Sequence, residues 1–530
     1  MRHSKFIYVL LPLTLMAAGL ACAGGRLVTT VAAEPSDVQT QSATATVQSF
    51  NAVEGTDLMS RLDSARDRAR AKQLPYWSAY AFDVRTGVAV DAAIREFHGS
   101  INTTGDTSVF VGTTADGVPV ETHNLAIFLL RDPASNQITR MEIYNLEKKR
   151  EYSGYPVYWL GRSNNEESLN YLKALAAAAP LDQLSERAVL GIALHDDSRV
   201  AGMLKGFVSS SPNQRIRSSA VYWLGQVGGE QAFLGALVRN EGEEKKLRRS
   251  AAYALGQSHE HGVMPTIQTL YEAVKDVEIR QGLISAAGNC SDEQPAFAFL
   301  IAVAKNDADV ESRRSATRQL GHFNREDAVD ELMKIYSSDT NIEVKRSALR
   351  ALAESSNARA HSRVLEVART DSNPELRKQA IRVLGERGEA GVDDLLKLFD
   401  SEQSPDVRKT VLQSLANTKS PRVDDKLFAV AAGNDNLELK KQAIRLLGDR
   451  AGKKSFEFLS ATAQSADGNT EVQMQAVRSI GERHAEESVP ILIKIAKTHP
   501  NQLVRKQAIR SLGESGDPRA VEFFREVLMK

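Results

Sequence analysis

A mainly α-helical solenoid of about twelve helical hairpin repeats, behind a small, mostly antiparallel β domain, is the fold class this 530-residue sequence predicts. Three observations predict it. One pattern of apolar, basic and glycine positions recurs with marker residues at 224, 255, 287, 320, 352, 384, 415, 447, 480 and 512, steps of 31 to 33. Short runs of alternating side chains crowd into 74–150. The composition is that of a packed chain, 42% hydrophobic and 25% charged with a mean hydropathy of -0.31, which excludes a polytopic membrane protein and a wholly disordered one. Lys and Arg number 67 against 67 Asp and Glu, so no global field gathers nucleic acid. The two cysteines, Cys22 and Cys290, exclude a disulfide scaffold and a four-thiolate zinc site.

In chain order, Arg2 and Lys5 precede the apolar run Phe6–Leu20, and small residues follow. That is the order of a secretory signal, so residues 1–33 are expected to direct export to the periplasm or cell envelope, with cleavage after Ala23 or Ala33. Gly19-Leu20-Ala21-Cys22 resembles a bacterial lipobox, which makes Cys22 a candidate lipidation site; the alternative is that Cys22 leaves with the signal. Residues 34–73 read as a tether followed by a short helix carrying Leu58, Leu62 and Ala65 on one face.

Residues 74–150 read as a small β domain of four strands, Tyr76–Val84, Thr107–Thr113, Val118–Leu130 and Gln137–Leu146. Turns are expected at Ala115-Asp116-Gly117 and at Asp132–Asn136. Asp83, Asp91, His98, Asp106 and His123 fall there without the spacing of a metal or catalytic motif.

The solenoid is expected over 152–530. Each repeat places an apolar residue, Ala and Leu at offsets 0, 4 and 8, one face of a helix, with a basic residue at offset 1 and glycine at offset 9, as in Leu376-Arg377…Ala380…Leu384-Gly385. The glycine reads as a left-handed helix end. A second amphipathic segment, such as Ala328–Tyr336, completes a hairpin, and stacked hairpins bury what one cannot. Two degenerate copies, Val157-Tyr158-Trp159-Leu160-Gly161 and Arg187…Leu190…Leu194, are expected to open the array. The last helix, 518–530, reads as a polar-backed cap whose apolar arc is Ala520, Val521, Phe524, Val527 and Leu528.

The segment Val344-Lys345-Arg346-Ser347-Ala348-Leu349-Arg350-Ala351-Leu352 resembles the second helix of a HEAT repeat, of the short bacterial kind also found in phycobilisome lyases. The resemblance implies an α-solenoid, in which the second helices line the concave face; scaffolds, adaptors and a few enzymes share it. A deoxyhypusine-hydroxylase-like di-iron site needs His-Glu pairs just after the basic residue. Those positions hold Ser218, Arg249, Gln281, Arg314, Arg346, Lys378, Lys409, Lys441, Met474 and Lys506, so that ligand set is absent. His259-Glu260-His261 lacks the spacing of a helical metal pair, Gly452-Lys453-Lys454-Ser455 lacks the first glycine of a phosphate loop, and Cys290 is solitary.

What remains is a ladder of charge. Nine of ten offset-1 residues are basic, Gln473 being the exception, and offset 6 holds Arg318, Arg350, Arg382, Arg445, Arg478 and Arg510. These six are the candidate partner-binding residues, for a protein with an acidic segment. The competing reading is a salt-bridged surface, since Glu354, Glu386, Asp449, Glu482 and Glu514 stand four residues after five of them. The sequence thus reads as an exported, monomeric, non-enzymatic protein-binding scaffold acting through the concave face. It calls for no metal, cofactor or nucleic acid, and for membrane only through a lipidated Cys22. The alternatives are a lyase-like or metal-dependent enzyme on the same repeats, or a structural envelope lipoprotein.

Overall fold

The computed structural model describes residues 50–529 apart from 92–96, 105–106, 115–117, 179–181, 259–260, 324, 356, 419, 451 and 466–467. The expected signal and tether, Cys22, Asp106 and the expected turn at 115–117 lie outside the described residues. The N-terminal elements are β1 (Asn51–Ala52), α1 (Leu58–Arg70), β2 (Tyr76–Ala81), β3 (Val88–Val90), β4 (Phe97–Thr104), β5 (Thr107–Thr114), β6 (Leu125–Arg131), β7 (Ile138–Asn145) and β8 (Val157–Arg162). They form two sheets where four strands of one were expected: a five-stranded sheet in the order β1-β8-β2-β6-β7 and a three-stranded one in the order β3-β5-β4. The pairing is antiparallel except where β8 lies parallel between β1 and β2. Helix α1 begins in a capping box on Asp57 and buries Leu58, Leu62, Ala65 and Ala69.

The first degenerate copy is a correction. Val157–Gly161 opens no repeat; it is strand β8, inside the range 152–530 expected for the solenoid. Helices begin at Asn165 and pair as α2 (Asn165–Ala178) with α3 (Asp182–Ala193), α4 (Arg199–Ser210) with α5 (Gln214–Val227), α6 (Gln231–Arg239) with α7 (Lys245–Gln257), and α8 (Met264–Ala273) with α9 (Val277–Asn289). They continue as α10 (Glu293–Asn306) with α11 (Val310–Leu320), α12 (Glu326–Ser338) with α13 (Ile342–Glu354), α14 (Ala358–Thr370) with α15 (Pro374–Gly385), and α16 (Val392–Ser401) with α17 (Pro405–Ala416). Then come α18 (Pro421–Ala432) with α19 (Leu437–Asp449), α20 (Lys453–Gln464) with α21 (Thr470–Gly481), α22 (Ala485–Thr498) with α23 (Gln502–Ser515), and the single α24 (Pro518–Leu528). The described residues therefore hold eleven hairpins and one further helix, where about twelve hairpins were expected.

The odd-numbered helices carry the repeat pattern, and from α3 to α23 each packs on the next. Offsets 0, 4 and 8 form their core, as at Leu376, Ala380 and Leu384. Most begin at a cap that the sequence reading passed over, an Asn or Asp three residues before offset 0. Asn213, Asp276, Asp309, Asn341, Asn373, Asn436, Asn469 and Asn501 each accept a backbone N–H of the first turn. The glycine at offset 9 ends no helix in the left-handed conformation. Gly225 and Gly256 lie inside α5 and α7, and a Cβ on them would come within 2.5 Å of Ala254 O and 2.4 Å of Ala286 Cα on the following odd helix. The residue is glycine because the next backbone passes there.

The final helix is a second correction. It buries Ala520 and Phe523 against its neighbours, while Val521, Val527 and Leu528 of the expected arc are 49, 51 and 85% exposed. Helices α22 and α23 pack on α24 and take one edge of its apolar arc.

Candidate protein-interaction face

Three rows of charge run along the odd-numbered helices, and each has a different fate. At offset 1 the guanidinium reaches back to its own hairpin turn and forward to an acid in the next. Arg313 donates to Asp307 O at 2.9 Å and pairs with Asp339 at 2.8 Å; Arg377 donates to Asp371 O at 2.9 Å and pairs with Glu402 at 3.1 Å. Arg217 with Glu243 (2.6 Å), Arg408 with Asp435 (2.8 Å) and Arg280 with Asp307 repeat the forward pairing. These charges are consumed in joining repeats, with geometry held at both ends of the planar fork.

At offset 2 most of the cations are neutralised along the face. Arg346 pairs with Glu343 at 2.6 Å, and Lys378 with Glu375 at 2.9 Å. Lys441 pairs with Glu438 and, across to the next odd helix, with Glu471, both at 2.8 Å. Such exposed pairs each stabilise by about 0–1 kcal/mol, yet they remove net charge from this row.

At offset 6 all six predicted arginines are exposed. Two of the five expected pairs with the acid four residues on are formed, Arg445 with Asp449 at 3.3 Å and Arg510 with Glu514 at 3.1 Å. Arg478 donates to Gln507 at 3.3 Å. Arg318, Arg350 and Arg382, on successive odd helices α11, α13 and α15, are exposed and make no ion pair within 4 Å among the described residues, although Arg382 lies near enough to help Lys378 hold the Glu375 carboxyl low. The same offset in α5, α7 and α9 holds Tyr222, Tyr253 and Ser285. The column therefore passes from aromatic and small side chains to basic ones, a change that the arginine count did not reveal.

The other candidates disperse. His259 and Glu260 lie outside the described residues, and His261 is exposed beside Asp292. Gly452 stands at the start of α20, and Lys453, Lys454 and Ser455 form its first turn. Cys290 is half-buried, and burial raises its thiol above the ordinary range. In the β domain Asp83 pairs with Arg162, Asp91 with Arg150 and His123 with Glu121. Among the described residues no three His, Cys, Asp or Glu side chains form a group that could hold a metal ion. No described helix is long and apolar enough to cross a membrane.

A family model for HEAT repeats matches residues 297–385, 362–448 and 456–530. No curated protein matches the chain by sequence. Among solved structures it is similar to Kap95p with RanGDP, at 11% identity and a TM-score of 0.37 over 68% of this chain and 58% of that one. It is also similar to the karyopherin Kap121p bound to the extreme C-terminus of the protein phosphatase Cdc14p, at 13% identity and a TM-score of 0.36 over 66% and 46% of the two chains. Human deoxyhypusine hydroxylase is similar at 17% identity and a TM-score of 0.22 over 54% of this chain and 96% of that one. The chain thus spans less than two thirds of the length of either Kap protein.

Proposed function

HEAT repeats fill 297–448 and 456–530 of this chain, and from that premise we propose that it is a non-enzymatic protein-interaction scaffold holding an acidic segment of a partner along Arg318, Arg350, Arg382, Arg445, Arg478 and Arg510. The observation that carries the proposal is the contrast between rows. Offset-1 arginines are tied into repeat joints and most offset-2 cations are paired on the surface, whereas Arg318, Arg350 and Arg382 are exposed one repeat apart and form no ion pair within 4 Å among the described residues, Arg382 acting on Glu375 only at longer range. A carboxylate brought to such a site is met by preset donors. Stacked helices lie about 8–10 Å apart, so Arg318 to Arg510 spans roughly 50–60 Å, the length of about sixteen extended residues.

In this reading the odd-numbered layer, with its glycine contacts, is the concave side of the solenoid. The scaffold works in the periplasm or cell envelope, a reading supported by Arg2, Lys5 and the apolar run Phe6–Leu20. It is lipid-anchored if Cys22 is modified.

The test is fluorescence anisotropy with a labelled eighteen-residue poly-glutamate peptide. Replacing Arg318, Arg350 and Arg382 together by Glu is expected to weaken binding at least about tenfold, about 1.4 kcal/mol, and rising salt to weaken the native complex. Charge reversal at the already paired Arg445 and Arg510 does less. Unchanged affinity in the triple variant would remove the row from the function.

A further inference from the structure

The arginine row begins on α11. On the three odd-numbered helices before it, α5, α7 and α9, the same face lines a groove of about 400 Å³. Residues four apart on a helix share a face, so each helix lends the groove one side chain from offset 2 and one from offset 6. Offset 2 supplies Ser218, Arg249 and Gln281, and offset 6 supplies Tyr222, Tyr253 and Ser285. The groove therefore runs across the helices, from repeat to repeat. At its α5 end Ser218 and Tyr222 also line a larger cavity of about 890 Å³, walled mainly by β7, α3 and α5.

The two rows differ in chemistry. Offset 6 presents aromatic rings: Tyr253 is 40% exposed, and Tyr222 is half-buried, edge-on to Trp223 at 5.0 Å. Offset 2 presents hydrogen-bond donors. The Ser218 hydroxyl is buried without a hydrogen-bond partner among the described residues, a costly arrangement that a ligand would relieve. Arg249 is exposed, and its acid Glu278 stands 3.9 Å away, too far for a hydrogen bond. Gln281 adds an amide, and no carboxylate lines the groove. The occupant is thus met by two aromatic faces and a row of donors, with no demand for a strong charge.

The period of the repeat decides its shape. Gly225 lets α7 approach at Ala254, and Gly256 lets α9 approach at Ala286. Stacked helices lie about 8–10 Å apart, so the tyrosines recur at that step. A polyproline II helix rises about 3.1 Å per residue with three residues per turn, about 9 Å in all, so prolines three apart land on successive tyrosines. Residues three apart in a β-strand span about 10 Å but point to opposite faces, and the match is lost. Hydrogen bonding agrees with spacing. A polyproline II chain makes no internal hydrogen bonds and proline has no N–H, so it offers carbonyl acceptors to a groove of donors.

We propose that this groove binds a proline-rich segment of a partner protein in the polyproline II form. Prolines three residues apart stack on Tyr222 and Tyr253, and the carbonyls between them accept from Ser218, Arg249 and Gln281. The site goes beyond the row Arg318–Arg510 and does not depend on it.

The probe is a fluorescein-labelled Pro-Ala-Gln-Pro-Ala-Gln-Pro-Ala-Gln-Pro peptide, followed by anisotropy with the full chain. Saturable binding is expected. An isomer of the same composition, with its prolines at positions 1, 3, 7 and 9 and no two of them three apart, should bind at least about tenfold more weakly. Tyr253→Ala removes an exposed ring, so the fold is kept, as circular dichroism melting checks, and the peptide should bind at least about tenfold more weakly. Tyr253→Phe keeps the aromatic face and should bind within about threefold of the native chain. The Arg318, Arg350 and Arg382 triple variant should bind this peptide as the native chain does, which separates the two sites. No saturable binding below about 1 mM, equal affinity for the two isomers, or no effect of Tyr253→Ala would each overturn the proposal.

Discussion

Val-Tyr-Trp-Leu-Gly occurs twice in this chain, once as strand β8 at Val157–Gly161 and once inside helix α5 at Val221–Gly225. The letters are identical, so neighbours decide. Before the first copy, Ser153 and Gly154 have positive φ (56° and 72°), and Pro156 disfavours a helical Tyr155 and supplies no N–H. The chain enters extended and lands between β1 and β2. Before the second copy, Asn213 caps the helix by accepting from Arg215 N at 2.9 Å, and seven residues have already coiled before Val221. The same side chains then sort by different periods. In the strand Tyr158 and Leu160 join one core, while Val157 and Trp159 join the cluster on the other face of the sheet. In the helix Val221, Trp223 and Leu224 are buried, and Tyr222 is turned to the groove.

The sharpest way to test that sorting is the tyrosine. Tyr158 is buried, edge-on to Tyr76 at 5.7 Å, whereas Tyr222 is half-buried at a cavity mouth. Tyr158→Ala is expected to cost about 3–5 kcal/mol, as for a buried aromatic. Tyr222→Ala should cost about 1 kcal/mol or less, because little apolar area leaves water there on folding. Urea unfolding of the two variants compares them directly, and equal losses would mean that the helical copy buries its tyrosine too.

The pentapeptide also marks what the sequence could and could not reveal. The solenoid was legible because an apolar residue, Ala and Leu recur on one helix face at a near-constant period. The first repeat was misplaced because a short apolar run of β-branched and aromatic residues fits strand and helix alike. The larger cavity beside the groove was illegible for another reason. Its walls, 139–142, 183–190 and 214–223, are separated by some forty to seventy residues from strand to helices and belong to elements of different period, so no pattern in one announces the other. The glycines were assigned the wrong task because Gly suits a left-handed cap and a close helix crossing equally well.

The seam between the two settings carries a pH response. His195, just after α3, stacks on Phe82 at 4.4 Å, with Nδ1 2.7 Å from Gly191 O and Nε2 2.8 Å from Ser168 Oγ. Burial holds its pKa down to about 4, although Asp197 and Asp83 pull the other way. The unfolded chain takes up a proton below about 6.5 and the folded chain only near 4. Stability from this group is therefore full above the unfolded value and falls as pH drops from 6.5 toward 4, by about 3 kcal/mol in all. Hydrogen exchange in β2, α2 and α3 at successive pH values reads the slope, which His195→Gln should flatten relative to the native chain.

The smallest effects fall on the two glycines that close the pentapeptides. Gly161 has a φ of 74°, and a Cβ there would meet only Arg61 Nη1 at 3.5 Å, so space is available and the backbone is the constraint. Gly225 has a helical backbone, but its Cβ would sit 2.5 Å from Ala254 O and 2.9 Å from Ala254 Cα, so the backbone is permissive and space is the constraint. Alanine should cost about 2 kcal/mol at 225, through overpacking of α5 on α7, and about 1 kcal/mol at 161, through the left-handed conformation. Asparagine separates the causes. It tolerates positive φ better than alanine and is larger, so Gly161→Asn should be milder than Gly161→Ala, while Gly225→Asn should be harsher than Gly225→Ala. Thermal melts of the four variants give the ranking. The same order at both sites would mean that one constraint, and not two, fixes glycine at the end of each copy.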